Sequence, residues 1–318
     1  MTPERRFAFH GRGGAVFGIY AVTILLSILT LGIYYPWGKV RLKRYFYSQT
    51  EFEGDRFSYH GTGRELLVGW LKVLLALGVL YGGIMAAAFA LPDDDPLQIL
   101  VSILLGLAGW ALVPVALVGS QRYRLSRSSW RGIRFSFRGT IREFFPIFAR
   151  GSLLTALTLG LYTPFFQNDL RRYQVGHSFF GTTALSYDGE GRKLFPKFLA
   201  AIVLTPLTLG LYWFWYQAAR DRFFWSHTCV AGARLRYDVK GGDLLLIALG
   251  SALALGFTLG LAYPWVRAAA MRFKLEHLVV AGDLDLDAVV QDARDASSAG
   301  EGLADFVAES LFDIELGL

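Results

Sequence analysis

The sequence predicts a polytopic α-helical membrane protein built from internal repeats, with short β-hairpins between helical hairpins, an α+β membrane architecture. Three observations predict this class. Hydrophobic residues make up 53% of the chain and charged residues 18%, with a mean hydropathy of +0.38, which lies outside the usual range of soluble domains. Long segments lack ionisable side chains. A short motif recurs along the chain, and the segments between its copies recur with it.

The recurring motif is Thr-Leu-Gly-Ile-Tyr-Tyr-Pro-Trp at residues 30–37. Further copies begin at Thr158, Thr208 and Thr258, 50 residues apart, and a degenerate copy places Pro114 opposite Pro36. A constant spacing of this size indicates internal duplication. It predicts one membrane domain over residues 1–282, with units near residues 7–64, 65–142, 143–192, 193–242 and 243–286.

Four apolar segments are long enough to cross a hydrocarbon layer of about 30 Å. Lys72 is the single charged side chain within them, and they cover residues 16–37, 66–91, 97–118 and 244–266. The alternative is that these segments are core helices of a soluble domain. Arg5 and Arg6 precede the first segment, but no small-residue cleavage site follows it, which favours an uncleaved membrane segment over a signal peptide.

Each copy of the motif also predicts a break between two helices, because glycine ends helices and proline begins them. The residues expected at the breaks are Gly32, Pro36, Gly160, Pro164, Gly210, Gly260 and Pro264. Tyrosine and tryptophan around the breaks suit a membrane boundary. A sharper hypothesis is that such broken helices form a substrate site within the membrane.

The two arms beside Gly160 limit the topology. The first arm, residues 145–161, would be about 25 Å long, and the second arm, residues 164–177, is too polar to face lipid along its length. If the second arm returns inside the bundle, every β-hairpin lies on one side. If it lies flat at the far interface, successive units alternate sides. The uniformly basic segments favour one side, the cytoplasmic one.

After each second arm the apolar residues alternate around a glycine, which predicts a β-hairpin. The predicted hairpins cover residues 50–59, 128–137, 178–187, 228–237 and 278–286. Residues 7–11 resemble the second half of one more hairpin.

One arginine recurs 14 residues after each motif threonine, and the candidate set is Arg44, Arg122, Arg172, Arg222 and Arg272. A cation in or near a membrane is costly without a partner or a role. One hypothesis is that the five converge on a shared cavity and bind an anionic solute or a lipid headgroup. The alternative, which we favour, is that each lies at the membrane edge, pairs with an acid such as Glu65 or Glu143 and stacks on a neighbouring aromatic ring.

Three histidines share one position in their units, namely His177, His227 and His277. They are weak candidates for a transition-metal site. We favour an interaction with the negative end of the preceding helix, and therefore expect no metal and no cofactor. Residues 60–63 lack the ending of a P-loop, Cys229 is a lone cysteine in a predicted strand, and no catalytic motif occurs. We expect neither enzymatic activity nor a nucleic-acid partner.

The chain resembles the YjgN-like family of bacterial inner-membrane proteins, which is defined by a domain of unknown function. The resemblance covers roughly residues 5–290 and rests on four segments, residues 7–11, 29–37, 41–45 and 57–65. Ala15 departs from the family pattern, since an acid is expected there, and the degenerate second copy lacks Thr-Leu-Gly. The resemblance implies a multi-pass protein of the inner membrane and brings no activity and no functional residues.

From residue 283 to the end, the chain has ten acidic residues and one basic residue, Arg294, a net charge of −9. We therefore predict a partly disordered, cytoplasmic acidic tail over residues 287–318 that offers a surface for a protein partner. The predicted function is non-enzymatic transport or binding of a small or lipid-like anion. The alternative is a membrane-anchored scaffold that uses the hairpins and the tail. A continuous water-accessible cavity that reaches the five recurring arginines would favour the first, and an apolar bundle interior with exposed hairpin faces would favour the second.

Overall fold

Helices come in pairs along the chain in the computed structural model, which describes residues 4–90, 96–282 and 289. Each pair is followed by strands, and the first helix of four pairs has 17 residues. The helices are α1 Gly13–Leu29, α2 Tyr35–Gln49, α3 Gly63–Ala90, α4 Pro96–Ser126, α5 Ile141–Leu157, α6 Thr163–Gly176, α7 Gly191–Leu207, α8 Tyr212–Ser226, α9 Gly241–Phe257 and α10 Tyr263–Glu276.

The strands are short and antiparallel. They are β1 Glu4–Arg6, β2 Ala8–Phe9, β3 Thr50–Phe52, β4 Asp55–Tyr59, β5 Ser128–Trp130, β6 Ile133–Phe137, β7 Ser178–Phe180, β8 Thr183–Ala184, β9 Ser186–Tyr187, β10 Thr228–Val230, β11 Ala233–Tyr237 and β12 Leu278–Ala281. They lie where the alternating segments predict them. The second half of the hairpin predicted over residues 278–286 falls outside the described residues.

The turn inside four helix pairs has one repeated geometry. The motif threonine donates to the carbonyl four residues earlier and accepts from the amide four residues later, as Thr158 does with Leu154 (2.6 Å) and Tyr162 (3.0 Å). The next two residues adopt positive φ, near 50° for leucine and near 90° for glycine. The threonine therefore ends the first helix, which is why α5 stops at Leu157, four residues before the end that we predicted. The second helices pack back against the first, as α6 does on α5.

The pair α3 and α4 differs from the others because no break occurs at Pro114. This proline lies inside the uninterrupted helix α4 and is almost fully buried. The two helices have 28 and 31 residues. Among the described residues they are the two helices long and apolar enough to cross a membrane. Residues 91–95, which connect the two helices, lie outside the described residues, and so does nearly all of the predicted acidic tail.

Two sheets join into one barrel. One has the order β1-β12-β11-β10-β9 and the other β2-β3-β4-β5-β6-β7-β8. A single residue, Phe7, separates β1 from β2, and a single residue, Leu185, separates β8 from β9. Each of these two pairs is therefore one strand with a kink at the separating residue, and each such strand takes part in both sheets. Counted in this way, ten strands close on themselves and leave no open edge among the described residues. All of the described hairpins therefore lie together, on one side of the helices.

Large apolar side chains fill the barrel. Phe52, Trp130, Phe180 and Leu235 are less than 10% exposed, and the two kink residues Phe7 and Leu185 pack against them. Val289, the described residue beyond Gly282, also belongs to this core and is 6% exposed. Among the described residues, side chains therefore fill the barrel interior and leave no open pore.

The N-terminal strand closes the ring. We predicted that residues 7–11 form half of a hairpin, and the structure supplies the other half from the far end of the chain: β1 pairs with β12, with Arg5 opposite Val280. On its other side β2 pairs with β3. The helices close in the same place, since α1 packs on α10. The first and last parts of the chain thus complete one unit together.

Glycines at the helix starts let neighbouring units approach closely. A Cβ on Gly241 would lie 2.5 Å from the Trp215 ring, and one on Gly63 would lie 2.5 Å from Trp37. Gly13 meets Trp265 in the same way, which joins the last unit to the first. These glycines therefore pack against the aromatic residue that ends the motif of the preceding helix pair, which is a packing role and needs no phosphate.

This packing predicts opposite effects for two adjacent substitutions. Gly241→Ala forces Trp215 to move and should destabilise the protein by about 1–3 kcal/mol. A Cβ on Gly242 meets no atom within 4 Å, so Gly242→Ala should be neutral or stabilising by up to about 1 kcal/mol, because alanine favours the helix. Thermal unfolding of both variants in detergent compares them, and equal melting temperatures would contradict the packing role.

A basic central cavity as the candidate functional site

A cavity of about 1610 Å³ lies among the second helices of the pairs. α2, α4, α6, α8 and α10 all contribute to its wall, together with one face of α1. It reaches from the helix turns, at Leu31 and Gly260, to the first residues beside the barrel, at Trp225 and Leu278. This volume exceeds that of ordinary small-molecule pockets, which is about 300–1,000 Å³.

The cavity wall carries a strong positive charge. Its basic residues are Lys39, Lys43, Arg124, Arg171, Arg220, Arg267 and Lys274. All seven are partly buried. Among the described lining residues Asp221 is the one acid, and it pairs with Arg220 at 3.1 Å. The formal charge of the wall is therefore +6, and a low-dielectric wall strengthens its effect on an anion.

Polar and aromatic neighbours contact three of the cationic side chains. Arg124 donates to Gln121 Oε1 at 2.7 Å. The Arg171 guanidinium lies 5.0 Å from the centre of the Trp225 ring, and the Lys39 ammonium lies 5.2 Å from that of Tyr35. Such contacts orient the cationic groups of these three side chains.

The five arginines that we singled out do not line this cavity. Arg44, Arg172, Arg222 and Arg272 are exposed and Arg122 is partly buried. Four of them donate to the carbonyl of a glycine two residues before the next helix pair, as Arg172 does to Gly189 O at 2.8 Å, while Arg222 donates to Ala218 O. The other three bonds are Arg44 to Gly61, Arg122 to Gly139 and Arg272 to Gly11, at 2.8, 2.9 and 3.0 Å. The structure thus does not bring the five together, and four of them each link the second helix of a pair to the segment that leads into the next pair.

The cavity instead receives the residue immediately before each of these arginines. Those residues are Lys43, Gln121, Arg171, Asp221 and Met271, and all five line it. One residue along a helix is a rotation of 100°, which separates the outer face from the inner one. A comparison of recurring residues does not reveal these five positions in the sequence, because their residue types differ from unit to unit. The available signal was weaker: two of these five residues, Lys43 and Arg171, are basic.

The three histidines share one contact that involves no metal. In each, Nδ1 lies 2.7–2.8 Å from the carbonyl oxygen four residues earlier, on Tyr173, Phe223 or Phe273. Each ring also lies 4.3–4.4 Å from the ring of that residue. His177, His227 and His277 thus bind the last carbonyls of their helices. Within the described residues no group of three potential metal ligands occurs.

The barrel closes one end of the cavity. Trp225, Tyr237 and Leu278 line the cavity and also pack against the barrel or its rim. Tyr237 is 5% exposed and Leu278 is 9% exposed. Since described side chains fill the barrel interior, they close the cavity at this end.

His60 marks the junction between the barrel and α3. Its Nε2 lies 2.8 Å from Ser129 Oγ. Partial burial, and then the nearby cations Arg134, Arg44 and Arg127, lower the pKa of His60 below its usual value of 6.5. The neutral ring is therefore the form that the fold favours.

This lowered pKa predicts a loss of stability in acid. Above about pH 6.5 the ring is neutral in both the folded and the unfolded chain. As the pH falls from 6.5 through the lower pKa of the fold, the unfolded chain takes up a proton first and folding becomes less favourable. The loss should stay below about 1 kcal/mol because the ring is partly solvated. Melting temperatures at pH 7.5 and 5.5 should differ less for His60→Gln than for the wild type; an unchanged difference would exclude His60 as a contributor.

The sequence model of a family described as "Bacterial protein of unknown function (DUF898)" matches residues 4–206, 182–246 and 233–306. These matches together cover most of the chain. The chain belongs to the DUF898 family. Neighbouring matches overlap, at residues 182–206 and at residues 233–246.

Curated relatives carry the name "Inner membrane protein YjgN". The protein from Escherichia coli (strain K12) is 36% identical over 165 residues, 52% of this chain and 38% of the relative. The protein from Salmonella typhimurium is 31% identical over 160 residues, 48% of this chain and 37% of the relative. The matched part thus spans less than two fifths of these relatives, and the family resemblance predicted from the motifs is confirmed. No solved structure matches the chain.

Proposed function

We propose that this DUF898 protein is a multi-pass protein of the bacterial inner membrane that binds an anion in its central cavity without catalysing a reaction on it. The observation that carries the proposal is the cavity wall, with seven cations and one carboxylate among its described lining residues. Cations at membrane depth are costly unless they serve a ligand, a pathway or a partner. The net positive charge of the described lining residues would attract an anion into the cavity.

Two further features support binding. Ser27 Oγ and Gln167 Oε1 line the cavity, are buried and have no hydrogen-bond partner among the described residues. A buried polar atom without a partner is unfavourable, so a bound molecule or water would satisfy both. The filled barrel favours binding or sequestration over passage straight through the molecule, since it blocks the inner end.

The orientation follows from charge. The barrel and its rim carry Arg127, Arg131, Arg134 and Arg138, and Arg142 follows at the start of α5. The positive-inside rule places such a face in the cytoplasm. The relatives named inner membrane proteins and the two long apolar helices agree with the membrane location, and the threefold family match agrees with an origin by internal duplication.

The proposal is tested with inorganic pyrophosphate as the probe. Isothermal titration of the purified protein in a neutral detergent should give saturable binding of one probe per chain. The affinity for pyrophosphate should fall steeply as the salt concentration rises from about 50 to about 500 mM, because salt screens the attraction between the cavity wall and the anion. Saturable binding that salt weakens supports an anion site. Absence of heat and of any pyrophosphate-induced rise in melting temperature would overturn it.

A further inference from the structure

The turns inside four of the helix pairs expose large apolar side chains. In each turn the leucine before the glycine is 94–95% exposed, and the residues concerned are Leu31, Leu159, Leu209 and Leu259. The apolar residues two positions before and two positions after each leucine are 42–86% exposed. The nearest charged residues lie at least nine positions before and at least eight positions after each leucine. Each turn therefore presents an uncharged, mainly apolar surface to its surroundings.

The barrel turns take different residues at the same backbone conformation. The four leucines have a φ of 49–51°, and the glycine after each has a φ of 89–92°. In the barrel hairpins Glu53, Arg131 and Ala231 have a φ of 46–54° and also precede a glycine of positive φ. This conformation is unfavourable for a bulky apolar residue, and two of the three barrel turns have a charged residue there. Leucine in all four helix turns therefore indicates apolar surroundings.

Each helix turn also satisfies its own backbone amides. Six consecutive amides, starting at the motif threonine, donate to acceptors in the turn or in the last residues of the preceding helix, at 2.7–3.3 Å in all four turns. The fifth of these amides donates to the threonine hydroxyl, as Tyr162 N does to Thr158 Oγ1. A loop in water can leave its amides to the solvent, whereas a chain reversal in hydrocarbon has to satisfy them internally. The motif therefore suits a turn away from water.

The helix lengths limit the depth of these turns. The first helices α1, α5, α7 and α9 have 17 residues each, about 25 Å, which is less than the thickness of a hydrocarbon layer of about 30 Å. α3 starts as α1 does, with a glycine against a motif tryptophan, but it continues for 28 residues and is about 16 Å longer. If the charged starts of the helices lie at one interface, the four turns end within the hydrocarbon.

We propose that the acyl-chain interior of the bilayer covers the four turns, so that four helix pairs enter and leave the membrane on the barrel side while α3 and α4 cross it. The relatives named inner membrane proteins and the two long apolar helices support a bilayer as the partner of this surface. Hydrocarbon contact at the turns is independent of anion binding in the cavity. The recurring Thr-Leu-Gly then has one role in every copy, which is to reverse the chain inside hydrocarbon.

The test measures the surroundings of a spin label at a turn of the protein in liposomes. Leu209→Cys is labelled in a Cys229→Ser background, and collisions with oxygen are compared with collisions with a water-soluble nickel chelate. We expect the chelate to reach position 209 about fivefold less than Glu53→Cys, which has the same backbone conformation in the barrel, because hydrocarbon excludes a polar chelate. Oxygen should reach position 209 at least as well as position 53. Equal access of the chelate to both positions would overturn the proposal, and Leu159→Cys and Leu259→Cys repeat the measurement if the first variant does not fold.

Two threonines of α5 provide a second, matched test. Thr155 and Thr158 both donate to the carbonyl four residues earlier, at 2.7 and 2.6 Å, and Thr158 Oγ1 also accepts from the Tyr162 amide. Thr158→Val should lower the melting temperature in liposomes by about 5 °C or more relative to Thr155→Val, because hydrocarbon offers that amide no other acceptor. Thr158→Ser keeps the acceptor and should melt like the wild type. Equal melting temperatures of the two valine variants would show that water reaches the Tyr162 amide and would contradict immersion of the turn.

Discussion

Removal of residues 1–9 is expected to leave no folded protein. The deletion takes away a strand that pairs with β12 on one side and β3 on the other. It also removes Phe9, which is 5% exposed, and Phe7, whose ring lies 4.5 Å from that of Phe52. Loss of one buried phenylalanine costs about 3–5 kcal/mol, and the deletion opens two strand edges that can pair with other molecules.

The measurement is the fraction of monodisperse protein after extraction and gel filtration. A deletion of residues 1–3, which stops before the described strand, serves as the control. A second check joins the strand covalently: Arg6→Cys and Val279→Cys face each other across β1 and β12 and should form a disulfide in a Cys229→Ser background, since opposed residues of antiparallel strands have suitable separations. A monodisperse, folded protein without residues 1–9 would contradict barrel closure.

Charge reversal at two adjacent arginines is expected to have different consequences. Arg171→Glu places a carboxylate in the cavity and should weaken pyrophosphate binding by about 100-fold or more. A positive charge that attracts the anion is replaced by a negative charge that repels it at close range. Arg172→Glu lies on the outer face and should leave binding within about threefold. It loses the bond to Gly189 O and should destabilise the fold by about 1–3 kcal/mol.

The two variants control for each other, because they change the same residue type at neighbouring positions of α6. Titration with pyrophosphate gives the affinity, and thermal unfolding without ligand gives the stability. A loss of affinity in Arg172→Glu as large as that in Arg171→Glu would show that binding depends on the general charge or on folding and not on the cavity wall.

Local features of the fold could be predicted from the sequence because local chemistry determines them. The alternation around Gly54 or Gly132 predicts a hairpin whatever its surroundings, and Thr158, Gly160 and Pro164 contain the signals that end one helix and begin the next. The uninterrupted path through Pro114 could not be predicted in this way. Its helix is held by tertiary packing, which leaves that proline almost fully buried.

Barrel closure and the cavity depend on contacts between distant parts of the chain. No local pattern pairs Arg5 with Val280 or places Gly13 under Trp265. The recurring arginines such as Arg172 are conspicuous in the sequence because four of the five make the same hydrogen bond to a glycine carbonyl before the next helix pair. A binding site built from several units has the opposite property, since one ligand meets a different side chain from each of them.

The most direct test of the central claim, that the second helices surround a positively charged cavity, uses two adjacent alanines of α10. Ala270 lines the cavity, whereas Ala269 is exposed on the outer face. Each is replaced by cysteine in a Cys229→Ser background, and the rates of modification by anionic and cationic methanethiosulfonate reagents are measured in detergent. We expect Ala270→Cys to react at least about tenfold faster with the anionic reagent than with the cationic one. Pyrophosphate should slow the reaction with the anionic reagent, and Ala269→Cys should show no preference between the two reagents. Equal rates for the two reagents at position 270, or a faster cationic reaction, would contradict the central claim.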